Sequence, residues 1–161
     1  LPDAVPDLPD TVPNVPDTVP RLPGLPGIAP RPPGTAPCPC GSGASYAGCC
    51  GRWHDGPLRL CAPTAQALMR SRYCAFVFGL RDYLLQTWHP STRPASLAPD
   101  EPGLRWLGLE LRRHQQQDDA HATVEFVARS KLGGRAHRLH ETSRFVREDG
   151  RWYYLDGDFR G

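Results

Sequence analysis

No run of about 18 apolar residues occurs in this chain of 161, so its sequence holds no membrane-spanning helix. The N-terminal stretch has neither the basic segment nor the apolar core of a secretory signal, which makes the cytoplasm the expected compartment. Net charge is also small. Nineteen Lys and Arg stand against 17 Asp and Glu, leaving +2. Residues 1–37 contain four Asp and two Arg, a balance of −2, so residues 38–161 carry +4. That falls short of the strongly basic footprint of a dedicated nucleic-acid binder. Gly41-Ser42-Gly43 is not followed by the Lys of a phosphate-binding loop. No Ser-His-Asp or Cys-His set can be assembled from spacing, and no catalytic residue is assigned.

Proline is the first thing present in excess. Twelve of the 19 prolines fall in residues 1–37, in loosely repeated units such as Val5-Pro6-Asp7, Leu8-Pro9-Asp10 and Leu22-Pro23-Gly24. Proline at that density removes backbone donors and fixes φ, so neither a helix nor a sheet ladder can form. Residues 1–37 are therefore expected to be a disordered, polyproline-II-like leader.

Cysteine is the second. Cys38-Pro39-Cys40 and Cys49-Cys50 place four thiols within thirteen positions, separated by a small, Gly-rich octapeptide that lets the chain fold back. Four thiolates suit a tetrahedral Zn²⁺ with bonds of about 2.3 Å. Disulfides or redox thiols are the alternatives. Adjacent cysteines are awkward disulfide partners, and two bridges here would staple only a tiny loop. Clustered cysteines in a cytosolic chain favour metal or catalysis over disulfides. Cys38, Cys40, Cys49 and Cys50 are thus the expected ligands. His54 is a possible substitute, and Cys74 is read as a small buried side chain in a helix.

Beyond the cysteines the pattern is α+β. Thr64 can cap a helix whose apolar positions recur at Leu68, Met69, Tyr73, Phe76 and Val77, and a second helical stretch runs from Leu80 to Thr87. Four strands are expected at about 104–112, 122–130, 135–147 and 151–156, with turns at Gly133-Gly134 and Glu148-Asp149-Gly150. Alternation in the third strand puts Leu139, Glu141, Ser143 and Phe145 on the inner face. A buried carboxylate needs a partner, and Arg72 lies in the apolar stripe of the first helix. Arg72 and Glu141 are expected to pair within the concavity. Trp88, His89, Trp152 and Tyr154 would stand beside them, so Arg72, Trp88, His89 and Glu141 form a candidate pocket for a small polar ligand. His140 is expected to be exposed, and Asp156-Gly157-Asp158 to form a turn.

Cys38-Pro39-Cys40-Gly41-Ser42-Gly43, Tyr46 and Cys49-Cys50-Gly51 resemble the SEC-C motif, a zinc knuckle found in the SecA translocation ATPase. Leu68-Met69-Arg70-Ser71-Arg72-Tyr73, Thr87-Trp88-His89-Pro90-Ser91, Trp106-Leu107-Gly108-Leu109 and Trp152-Tyr153-Tyr154 resemble the bacterial YchJ family, and the resemblance covers about residues 38–159. It implies a SEC-C knuckle at 38–56 and, at 57–161, an NTF2-like (cystatin-like) α+β domain, a cone of helices on a curved antiparallel sheet. It also implies structural zinc and a protein-interaction role for the knuckle. Where many SEC-C loops carry lysines, this one has Ala44, Ser45 and Ala47, leaving only Arg52 and Arg59 nearby. A zinc-binding interaction protein is the expected function. The rivals are a small-ligand binder or enzyme using the concave pocket, and a ribosome- or nucleic-acid-associated factor.

Overall fold

The computed structural model describes residues 31–98 and 101–160. Three helices, α1 (Gly51–His54), α2 (Ala65–Phe78) and α3 (Arg81–Gln86), precede four strands, β1 (Arg105–Asp118), β2 (His121–Leu132), β3 (Arg135–Glu148) and β4 (Arg151–Arg160). Thr64 caps α2 as its sequence suggests, its hydroxyl accepting the Ala67 N–H at 3.0 Å. Gly79, at φ 70°, ends the helix in the left-handed region, where its N–H reaches the carbonyls of Ala75 and Phe76. The chain then reverses into α3.

The strands form one antiparallel meander in the order β1-β2-β3-β4. Two tight turns set the register. Gly133 and Gly134 both take positive φ, as do Asp149 and Gly150, which is the backbone a right-twisted two-residue hairpin requires. On β3 the alternation holds: Glu141, Ser143 and Phe145 are buried, Leu139 is half-buried, and Arg138 is exposed. Leu68, Tyr73, Phe78 and Leu84 from the helices meet Val124, Phe126, Phe145 and Trp152 from this concave face in one core.

The structure departs from the sequence expectations at several edges. β1 continues to Asp118, not 112, although Arg112–Asp118 are exposed throughout. Polar residues on both faces leave no alternation to read, yet Arg113 pairs with Glu125 and Gln115 with Thr123 in the ladder. Asp156-Gly157-Asp158 is strand, not turn, because Arg144 on β3 bonds both aspartates across the sheet and Gly157 pairs with Ser143. His140 is half-buried and bonds Glu125 at 2.7 Å.

The leader was expected to reach residue 37. Its residues 1–30 lie outside the described residues, but 34–37 are already structured. Pro37 bridges Ser45, the Tyr46 N–H reaches the Ala36 carbonyl at 2.8 Å, and the Ala47 N–H reaches Gly34 at 2.9 Å. The knuckle is thus a short ladder closed on itself, with Gly41 and Gly43 supplying the positive φ of the reversal. It is not a separate unit, since Cys38, Cys40, Tyr46, Cys50 and Trp53 are buried in the same core as Leu68 and Phe145.

Candidate metal centre

The back-folded ladder brings the cysteines together at the face of α2. Four sulfurs, those of Cys38, Cys40, Cys50 and Cys74, all lie within 4.8 Å of one another, and all four residues are buried. Three of these are expected ligands. The fourth sulfur of this mutually close set is that of Cys74, and Cys49 lies outside the set. Cys38 Sγ is 3.6 Å from Cys74 Sγ. Cys49 sits at the rim, half-buried, 3.6 Å from Cys40 Sγ, 3.9 Å from Cys50 Sγ and 3.1 Å from Ser42 Oγ. Nothing in the 38–50 spacing announces Cys74. Only the docking of α2 supplies it.

Whether a metal fits can be judged from the donors. A tetrahedron with Zn–S bonds of about 2.3 Å has S···S edges of about 3.8 Å, close to the separations here. The all-sulfur donor set suits a soft or borderline cation. Protons are already unevenly shared in the cluster. Cys40 is held far below the usual thiol range, first by its hydrogen bond with Cys38 and then by that with Cys50. Cys50 and Cys74 are pushed up, each chiefly through its hydrogen bond with Cys38. Like charges confined in a dry pocket cannot all ionise without a cation, and a divalent metal would displace the retained protons.

His54 lies outside the sulfur cluster. Its Nε2 lies 2.8 Å from the Ser71 carbonyl, which can only accept, so Nε2 carries the proton and Nδ1 accepts from Tyr46 Oη at 2.6 Å. Burial pulls the imidazole down to about 4. With the Tyr46 ring edge-on to Phe78 at 5.5 Å and Arg70 bonding the Cys40 carbonyl at 2.9 Å, the knuckle is fastened to α2 at several points.

The second candidate site takes a different form from the one expected. Arg72 and Glu141, 4% and 6% exposed, are both buried as predicted, but they do not close an ion pair. Tyr154 stands between them. Arg72 donates to the Leu84 carbonyl and to Thr87 Oγ1, both at 2.7 Å, and its guanidinium lies 4.6 Å from the Tyr154 ring centroid and 5.2 Å from that of Trp88. Tyr154 in turn donates its hydroxyl to Glu141 at 2.9 Å, and Ser143 donates at 2.8 Å. Desolvation draws Arg72 down to about 10, partly offset by Tyr154, Tyr83 and Glu141. The Trp88 Nε1 is buried without a hydrogen-bond partner.

His89 leaves this cluster and faces Ser91 and Glu148 at 2.7 and 2.8 Å. Of the four candidate pocket residues, Arg72, Trp88 and Glu141 therefore come together, in one polar layer with Tyr154. A small groove among the described residues is lined by Ala75, Phe76, Gly79, Leu84 and Leu97.

Comparison with known proteins agrees with this architecture. Residues 64–157 match the YchJ middle NTF2-like domain and residues 35–52 match the SEC-C motif. A UPF0225 protein of Bordetella pertussis is 64% identical over 116 residues, covering 72% of this chain and 87% of its own. One of Methylibium petroleiphilum is 65% identical over 114 residues, covering 71% and 82%. Among solved structures, a SEC-C motif containing protein from Rhodopseudomonas palustris superposes with TM-score 0.67 at 33% identity, covering 78% of this chain and 99% of that one. Another from Psychrobacter arcticus gives 0.64 at 30%, covering 80% and 85%.

Proposed function

The chain belongs to the YchJ family of SEC-C proteins with an NTF2-like domain, and from that premise we propose that it is a zinc-binding interaction protein of the bacterial cytoplasm. The observation that carries this reading is the buried thiol cluster. Four sulfurs packed within 4.8 Å of one another leave no open coordination position for water or substrate, so the metal has a structural task. It stabilises a loop too small to fold alone, and zinc binding in comparable peptides supplies about 10–16 kcal/mol. The loop so ordered turns Gly41–Ser45, Ala47 and Gly48 to solvent as an exposed surface for a protein partner. None of the described helices is long and apolar enough to cross a membrane.

Purified protein is expected to hold about one zinc per chain, measured by plasma emission, and to lose it in the Cys38→Ser/Cys40→Ser double variant. Unchanged zinc in that variant would end the metal reading. Bacterial lysate proteins retained by the wild type should be released by the double variant. The same set retained by both would end the docking role of the knuckle.

One observation favours a second reading, a polyanion-binding factor. No acidic residue lies between Glu125 and Glu141 in the sequence, and the exposed Lys131, Arg135 and Arg138 flank the Gly133-Gly134 turn, while Arg129 pairs with Glu110 of β1. RNA retention that falls steeply with salt, and falls further in Arg135→Ala/Arg138→Ala, would support it.

A further inference from the structure

Resting on the metal reading above, we propose that Cys74, on α2 and outside the SEC-C motif, is the fourth ligand of the metal, and that Cys49 stays outside the shell as a free thiol. The metal would then clasp the knuckle to the NTF2-like domain. A shell drawn only from Cys38, Cys40, Cys49 and Cys50 would tie the knuckle to itself.

Three observations carry this. The first is position: the mutually close, fully buried set is Cys38, Cys40, Cys50 and Cys74, whereas Cys49 touches only its nearer members from the rim. The second is that contacts independent of sulfur place Cys74 there. Arg70 holds the Cys40 carbonyl, the Ser71 carbonyl receives His54, and Phe78 meets Tyr46. Positions 70, 71, 74 and 78 share one face of α2, so Cys74 is aimed at the sulfurs by the docking of the whole helix. The third is exposure. Cys49 is partly open to solvent, at the rim of the cluster. Cys74 has no access to water, and its sulfur lies 3.6 Å from that of Cys38.

The test reads thiol protection and ligand count, neither of which depends on an activity. Zinc-loaded wild-type protein is alkylated with iodoacetamide under native conditions and mapped by mass spectrometry. Cys49 is expected to react together with the exposed Cys61 while zinc stays bound. In the Co²⁺-substituted protein, Cys49→Ala should keep the full thiolate-to-metal charge-transfer intensity, and Cys74→Ala should lose about a quarter of it, one sulfur of four. Protection of Cys49, with the quarter lost in Cys49→Ala instead, would overturn the assignment while leaving the knuckle a metal site. Should Cys74→Ala fail to fold, alkylation of the wild type and the Cys49→Ala spectrum decide the matter by themselves. Wild-type protein that binds neither Zn²⁺ nor Co²⁺ would bring down the metal reading and this inference with it.

Discussion

At the scale of single residues, the close approach of Gly157 to Glu141 controls the buried polar layer. A Cβ at position 157 would lie 1.9 Å from Glu141 Oε2 and 2.7 Å from its Cδ, so the carboxylate occupies the space that glycine leaves. Gly157→Ala must push Glu141 off its two donors, Tyr154 and Ser143. Urea unfolding is expected to show a loss of about 2 kcal/mol or more. In a Glu141→Ala background the same change should cost much less, which a double-mutant cycle would reveal. Tyr154→Phe removes one donor and leaves the ring under Arg72, for an expected loss of about 1–3 kcal/mol. That Glu141 faces inward was legible from alternation on β3. That its partner is a tyrosine between it and Arg72 was not, because strand period says which face a residue takes and nothing about which side chain reaches it.

His54 gives a residue-scale prediction in pH. Burial holds it neutral in the folded state down to about 4, whereas the ordinary value is 6.5. Below pH 6.5 the unfolded chain takes up a proton that the native state refuses. The contribution is therefore complete above 6.5 and is lost as pH falls toward 4, to the extent of roughly 3 kcal/mol. His54→Gln should flatten the fall in melting temperature over that interval relative to wild type. An equal slope in both proteins would contradict the assignment.

Among elements, α2 does the most positioning, and its start was readable. Thr64 and Gly79 are cap residues in their usual places, and apolar spacing between them gave the helix. Thr64→Ala should cost about 1 kcal/mol in chemical unfolding without altering metal content. The strand ends were less legible. Arg112–Asp118 on β1 and Asp156–Asp158 on β4 carry polar residues that local rules assign to loop or turn. They are strands because neighbouring strands offer partners: Glu125 and Thr123 on β2 for β1, and Arg144 and Ser143 on β3 for β4. Long-range pairing overrides weak local preference in such segments.

For the molecule as a whole, the knuckle and the α+β domain share one core, so metal and fold should be coupled. Removing metal with a strong chelator is expected to lower the melting temperature and to raise amide exchange in residues 34–56 and along α2. The β2–β3 ladder should stay protected, since it carries its own hydrogen bonds and packs on Phe126 and Phe145. Exchange that rises only in residues 34–56 would mean the knuckle is held independently of the helix.

By itself the sequence determined those features that depend on neighbours along the chain. These are the back-folding Gly-rich loop between two cysteine pairs, the helix from its N-cap and stripe, the hairpins from their glycine turns, and the inner face of β3. Only the tertiary structure decided what depends on distant segments meeting. It joined residues 34–37 to the knuckle, set Tyr154 between Arg72 and Glu141, turned His89 outward, and brought Cys74 among the motif's sulfurs. Cysteine spacing constrains loop closure over a dozen residues. A thiol contributed from 24 residues beyond Cys50 enters the cluster only through the packing of a helix, which no local pattern encodes.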